Sequence, residues 1–108
     1  MQRGEIWWVD FNPSIGDEIQ KVRPAIIVSN NSSNKVLNRV QVVPLTSNSS
    51  KCYPCEAYVE MDGQPGKAMA DQIATVSKLR LKNKISRVST QQMHDVEQAI
   101  KLQLGLLL

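Results

Sequence analysis

Apolar and polar positions alternate through Glu5-Ile6-Trp7-Trp8-Val9-Asp10-Phe11, placing Trp7, Val9 and Phe11 on one side of an extended segment. Aromatic and β-branched residues in that pattern predict a first strand. Asn12-Pro13 ends it, and a polar stretch runs to about Val22. Residues 24–28 are continuously apolar, which predicts a second strand buried on both faces. Residues 29–34 read as a loop from their serine and asparagine content. Residues 40–45 predict a third strand, with Pro44 near its end, where a missing ladder donor is tolerated. A polar loop, 46–51, follows. Residues 55–61 predict a fourth strand and Asp62-Gly63 a turn; 67–76 predict one or two more strands and 84–88 a short last one.

The pattern changes period only at the end. Ser89 with Gln92 three residues later fits a capping box, and Met93, Val96, Ile100 and Leu104 then recur at helical spacing before Gly105. Short strands with polar connections and one terminal helix describe a mainly β fold, a small and strongly bent antiparallel barrel. With no repeat, linker or low-complexity segment, residues 1–108 read as one domain.

Composition narrows the function classes. A formal net charge of +3 and a pI near 9.0 permit nucleic-acid binding without demanding it. The densest basic stretch is Lys78, Arg80, Lys82, Lys84 and Arg87, most simply a solvated face. The N-terminus lacks the apolar core of a signal peptide and no run approaches a membrane span, so the cytoplasm is the default location. Cys52-Tyr53-Pro54-Cys55 is half of a zinc site without a second half, and the strand pattern after it does not suit a redox motif. His94, the single histidine, lies off the apolar stripe of the helix and reads as exposed. No catalytic triad, nucleophile elbow, phosphate-binding glycine loop or metal-ligand spacing is present, and no cofactor is implied.

What remains stands at strand ends beside polar loops. Pro24 disfavours a helical conformation for Arg23 and so favours an extended one at the mouth of the second strand. Thr46 and Ser47 close the third strand, Glu18 lies in the first long loop, and Asp71 and Gln72 follow a small-residue run. If the second and third strands are neighbours, Arg23 and Thr46 share a rim. A guanidinium and a hydroxyl there suit a phosphate. A loop ion pair and a turn-forming threonine fit the same pattern, and the residues alone leave both open.

These residues also lie within longer blocks. Residues 3–13, Gly16-Asp17-Glu18 and Arg23-Pro24-Ala25-Ile26-Ile27-Val28-Ser29 resemble the opening of the MazF/PemK toxin family. Val43-Pro44-Leu45-Thr46-Ser47 is similar to its second block, and Asp71-Gln72-Ile73-Ala74-Thr75-Val76 with Lys78-Leu79-Arg80-Leu81 to its third. The resemblance implies an SH3-like barrel of the CcdB/PemK type, forming a symmetric dimer. It implies the toxin of a toxin–antitoxin pair, an endoribonuclease that cuts single-stranded RNA without a metal and leaves a cyclic phosphate and a 5′-hydroxyl. By the same resemblance the catalytic arginine falls on Arg23, the catalytic threonine on Thr46 and the loop glutamate on Glu18. Gln72, with Ser47, Lys21 and Asp17 beside the matched positions, is expected to contact RNA, and an acidic antitoxin is the expected partner. Two positions depart from the family pattern: Gly16-Asp17-Glu18-Ile19 replaces Gly-Ser-Glu-Gln, and Ala74 stands where arginine is common. The alternatives are a gyrase-binding toxin of the CcdB type, disfavoured by a C-terminal segment without Trp-Gly-Ile, and a barrel module without activity.

Overall fold

The computed structural model describes residues 1–106. Its elements are β1 (Glu5–Asp10), β2 (Val22–Ile27), α1 (Asn31–Val36), β3 (Arg39–Thr46), β4 (Glu56–Met61), β5 (Gln64–Met69), β6 (Ala74–Ser77), β7 (Leu81–Arg87) and α2 (Thr90–Gln103). Short 3-10 turns at Ala70–Gln72 and Lys78–Arg80 flank β6. The strands form one curled antiparallel sheet in the order β4-β5-β3-β2-β1-β7. The first half of β3 pairs with β6 and its last two residues with β5, so the sheet turns a corner at β3. This curled half-barrel with a C-terminal helix agrees with the fold expected from the sequence.

Both faces of the sheet are buried at its centre, which explains the unbroken apolar run in β2. Ile6, Ile26, Val28, Val43, Leu45, Ala57, Val59 and Ala68 pack beneath Val96 and Ala99 of α2. Val9, Phe11, Ala25, Ile27, Val40, Val42 and Val76 pack on the opposite side, with Trp7, Ile19 and Ala74 against them. We call these the helix face and the loop face. Trp7, Val9 and Phe11 share the loop face, as their alternation requires. Trp8 is 42% exposed.

The helix starts as its sequence predicts. The Ser89 side chain accepts from the Gln92 N–H and the Gln92 side chain accepts from the Ser89 N–H. Its apolar stripe reaches the core only as far as Ile100; Leu104 is 52% exposed and Gly105 ends the helix at φ +71°. The sequence ends in an apolar tail, of which Leu106 is exposed and Leu107 and Leu108 lie outside the described residues. Asp62 and Gly63, both at positive φ, join β4 to β5 in a two-residue turn.

Two segments differ from expectation. Residues 31–36 are a short helix rather than a loop, because Asn30 caps it through its side chain and Asn34 is buried against Ser29. β7 begins at Leu81, three residues early, because β1 pairs with it from Glu5 opposite Arg87 to Val9 opposite Leu81, across two register shifts. The basic stretch is mostly structural. Lys84 lies 2.9 Å and Arg87 3.6 Å from the buried Glu5 carboxylate, and the Lys78 ammonium donates to the Asn34 carbonyl. Among the described residues no helix is long and apolar enough to cross a membrane.

Candidate active site

β2 and β3 run antiparallel with Ala25 opposite Pro44 and Ile27 opposite Val42. Continuing that register two residues outward sets Arg23 opposite Thr46. Both border one cavity of about 340 Å³, with Trp8, Pro24, Leu45, Ser47, Met61, Gln64 and Ile85. Along β2 and β3, Arg23 and Thr46 have the parity of Ala25 and Val42, whereas Leu45, Met61 and Ile85 of the cavity belong with the helix-face core, so the pair stands at the rim where the two faces meet. The row continues across the corner, since Thr46 pairs with Lys67 and Lys67 with Tyr58. The row one residue away, Leu45–Ala68–Ala57, is buried on the helix face.

Local bonds hold the pair in place. Arg23 is half-buried, and its Nε donates to the Gln20 carbonyl at 3.1 Å, which leaves the terminal nitrogens for an anion. The Thr46 hydroxyl accepts from the Asn48 N–H at 3.2 Å. Gly66 of β5 lies so close to Thr46 that a Cβ there would stand 2.8 Å from the Thr46 carbonyl oxygen and 2.7 Å from the Met61 Cε. Only glycine permits that approach.

Glu18 lies elsewhere. It borders a second cavity, of about 400 Å³, with Phe11, Ile19, Asp71, Gln72, Ala74 and Arg80. Its carboxylate accepts from the Ile15 N–H at 2.8 Å and so caps a turn within its own loop. Gln72 ties that loop down: its carbonyl accepts from the Ile19 N–H at 3.3 Å, and its amide donates to the Asp17 carbonyl at 3.4 Å. Asp17, Lys21 and Ser47 are exposed. Lys21 sits at the neck of the loop at φ +69°, its N–H on the Asn12 side chain and its carbonyl accepting from Phe11. The sequence-derived residues thus form two separate groups, Arg23–Thr46–Ser47 at the rim and Glu18–Gln72–Asp17 around the loop. Ala74 packs into the loop-face core, and Arg80 holds the start of the loop by donating to the Asp10 and Asn12 carbonyls.

Of the two tryptophans that the sequence offers for stacking on RNA bases, Trp8 lines the Arg23–Thr46 cavity. Two contributors escaped the sequence reading: Gln64 lines the same cavity, and Lys67 is a buried cation beside Thr46. Periodicity marks Trp8 as facing away from Trp7, but nothing local distinguishes Lys67 or Gln64 from turn residues. Among the described residues no cluster of histidine, cysteine and acidic groups has metal-binding geometry. Cys52 and Cys55 are free and half-buried, and burial pushes both thiols up.

A guanidinium and a hydroxyl facing each other at a barrel rim, with a polar loop beside them, make a site for a phosphodiester. The class becomes specific on comparison with known proteins. Residues 2–104 match the family described as PemK-like, MazF-like toxin of type II toxin-antitoxin system, and the chain belongs to that family. It is 38% identical to the endoribonuclease MazF9 of Mycobacterium tuberculosis over 98% of both chains. In structure it is similar to MazF of Deinococcus radiodurans, with a TM-score of 0.88 and 25% identity over 98% of this chain and 97% of that one. It is likewise similar to an endoribonuclease from a mycobacterial species in complex with its cognate antitoxin, with a TM-score of 0.84 and 25% identity over 100% and 98%.

Proposed function

We propose that this chain is the toxin of a toxin–antitoxin pair and an endoribonuclease that cuts single-stranded RNA, stopping translation and growth. The observation that carries the reading is the strand register that sets Arg23 opposite Thr46 at the rim, both bordering one cavity. Family membership and the endoribonuclease relatives support it.

The chemistry needs no metal. The ribose 2′-hydroxyl gives up its proton and its oxygen attacks the adjacent phosphorus. The bond from phosphorus to the 5′-oxygen breaks, that oxygen takes a proton, and a 2′,3′-cyclic phosphate and a 5′-hydroxyl result. Arg23 and Thr46 stabilise the charge that builds on the phosphoryl oxygens. A guanidinium holds its proton at physiological pH, so Arg23 serves as an electrostatic group and not as a proton carrier. Glu18 is the candidate base; it acts once its loop releases the Ile15 N–H and closes on RNA. Lys21, Asp17, Ser47 and Gln72 line the approach and contact the strand, whose unpaired bases are read on their edges. An acidic antitoxin is the complement of a chain with pI near 9.0, and a symmetric homodimer in the cytoplasm is the working form. The gyrase-binding alternative is not favoured, because the matched family and curated relative are of the MazF/PemK kind.

Purified wild type, Arg23→Ala and Thr46→Ala, incubated with long single-stranded RNA in EDTA and followed by end sequencing, test the proposal. Wild type is expected to cut at defined sites, and each variant to lose about 10²-fold or more in rate. Cutting retained by both variants moves the site elsewhere, and no cutting by the wild type removes the ribonuclease reading.

A further inference from the structure

The loop that leaves Thr46 is tied down by a charge pair. Lys67 is 6% exposed, and its Nζ lies 3.0 Å from Oε1 of Glu56, whose side chain is nearly buried as well. Removing an ammonium and a carboxylate from water costs more than their attraction returns, unless further bonds complete them. Two apolar side chains often fill such a place equally well. The further bonds here all run to one segment. Lys67 Nζ donates to the Lys51 carbonyl and stands 5.7 Å from the centre of the Tyr53 ring. Glu56 Oε1 accepts from the Tyr53 N–H at 3.0 Å, and the Glu56 N–H donates to the Tyr53 carbonyl at 2.9 Å.

Residues 47–55 contain no strand or helix, so side-chain anchors decide where they lie. Lys67 holds this segment at its start and at its middle. Its main chain pairs with Thr46 in the sheet, and its side chain grips Lys51 and Tyr53. The segment in turn reaches the site, since the Asn48 N–H is bonded to the Thr46 hydroxyl. That bond uses one lone pair of the hydroxyl and so sets where its proton and its other lone pair point.

We propose that Lys67, fixed by Glu56, is a positioning residue of the active site: it sets the 47–55 loop and, through Asn48, the orientation of the Thr46 hydroxyl. The proposal rests on the ribonuclease reading, and its test separates the two. The double variant Lys67→Met/Glu56→Leu removes both charges while keeping the volume. Three quantities are measured on it and on Lys67→Arg: thermal midpoint, amide hydrogen exchange of residues 47–55, and kcat and KM on an oligonucleotide containing the mapped cut site. In the double variant, exchange in the loop is expected to rise about tenfold with β4 and β5 unchanged. Its kcat is expected to fall about tenfold while KM stays within about threefold. Lys67→Arg, which keeps the cation, is expected to retain most of kcat.

Wild-type kcat in the double variant overturns the proposal, as does a fall in kcat matched by Lys67→Arg. Should the double variant not fold, Glu56→Gln replaces it: lowered kcat at constant KM supports the proposal and unchanged kcat overturns it. A wild type that cuts no RNA ends the ribonuclease reading and the catalytic half of this one. Loop exchange then still decides whether the pair holds the segment.

Discussion

The last two residues of β3 and their partners in β5 form two rows that differ by one residue of register and sharply in chemistry. Leu45 and Ala68 point under α2 and are 1% exposed, in a row continued by Ala57. Thr46 and Lys67, the next residues, point the other way, in a row that runs from Arg23 to Tyr58. Because side chains alternate along a strand, one strand end can carry core and site together. Apolar rows on both faces give the sheet its stability, and the polar row at the end of β3 spends some of that stability on groups with assigned positions. If this division is right, substitutions one residue apart have unlike consequences.

The largest effect is expected on the helix face. Val96 is fully buried, and Val96→Asp places a carboxylate there without a partner. The change should cost about 4 kcal/mol or more, enough to leave the chain unfolded in a denaturant titration. A cooperative transition at the wild-type midpoint would show that α2 does not close this core.

Next comes a charged group on the loop face that serves the fold. Glu5 is 6% exposed; burial would raise its carboxyl, but the Gln2 N–H, the Lys84 ammonium and the Trp7 indole hold it at about 2, below its ordinary 4.5. The folded-state value is the lower one, so the stabilisation is present above pH about 4.5 and is lost as pH falls from there toward 2. The amount is on the order of 3 kcal/mol. Glu5→Gln should flatten that part of the stability profile; an unchanged acid limb would remove Glu5 from the account.

A smaller effect is expected where the faces meet. Gly66→Ala drives a Cβ against the Thr46 carbonyl oxygen and the Met61 side chain. It should cost about 2 kcal/mol and slow RNA cleavage more than that loss of folded protein explains. Thermal melts and cleavage rates on the same samples separate the two. The smallest effect belongs to Tyr58→Ala. The side chain is 53% exposed at the end of the Thr46–Lys67 row, and stability should move by no more than about 0.5 kcal/mol. A large loss there would mean that this polar row is also a core.

These contrasts also show what the amino-acid pattern could and could not reveal. The strands and α2 are legible because burial imposes a period: β2 reads as apolar throughout since both its faces are covered, and α2 announces itself through Ser89 and Gln92. The short helix at Asn31–Val36 is hidden because its serines and asparagines are loop formers, stabilised here by the Asn30 cap and the buried Asn34. Arg23 is legible through Pro24, but its match to Thr46 depends on which strands pair, and the family resemblance supplied that link. Lys67 follows Pro65-Gly66 and looks like a solvated turn residue. Its burial arises only when the 47–55 loop folds over β5, a contact between segments that no local pattern encodes.

The division between the apolar and polar rows stands or falls on whether the Arg23–Thr46 row breaks RNA through the ribose itself. Once a cut position is mapped, two otherwise identical single-stranded oligonucleotides settle it, one all-ribose and one with a single 2′-deoxynucleotide at the attacking position, both in EDTA. Cleavage of the first with a cyclic phosphate on the upstream fragment, none of the second, and neither cut by Thr46→Ala is the predicted result. Equal cutting of both oligonucleotides by the wild type would contradict it.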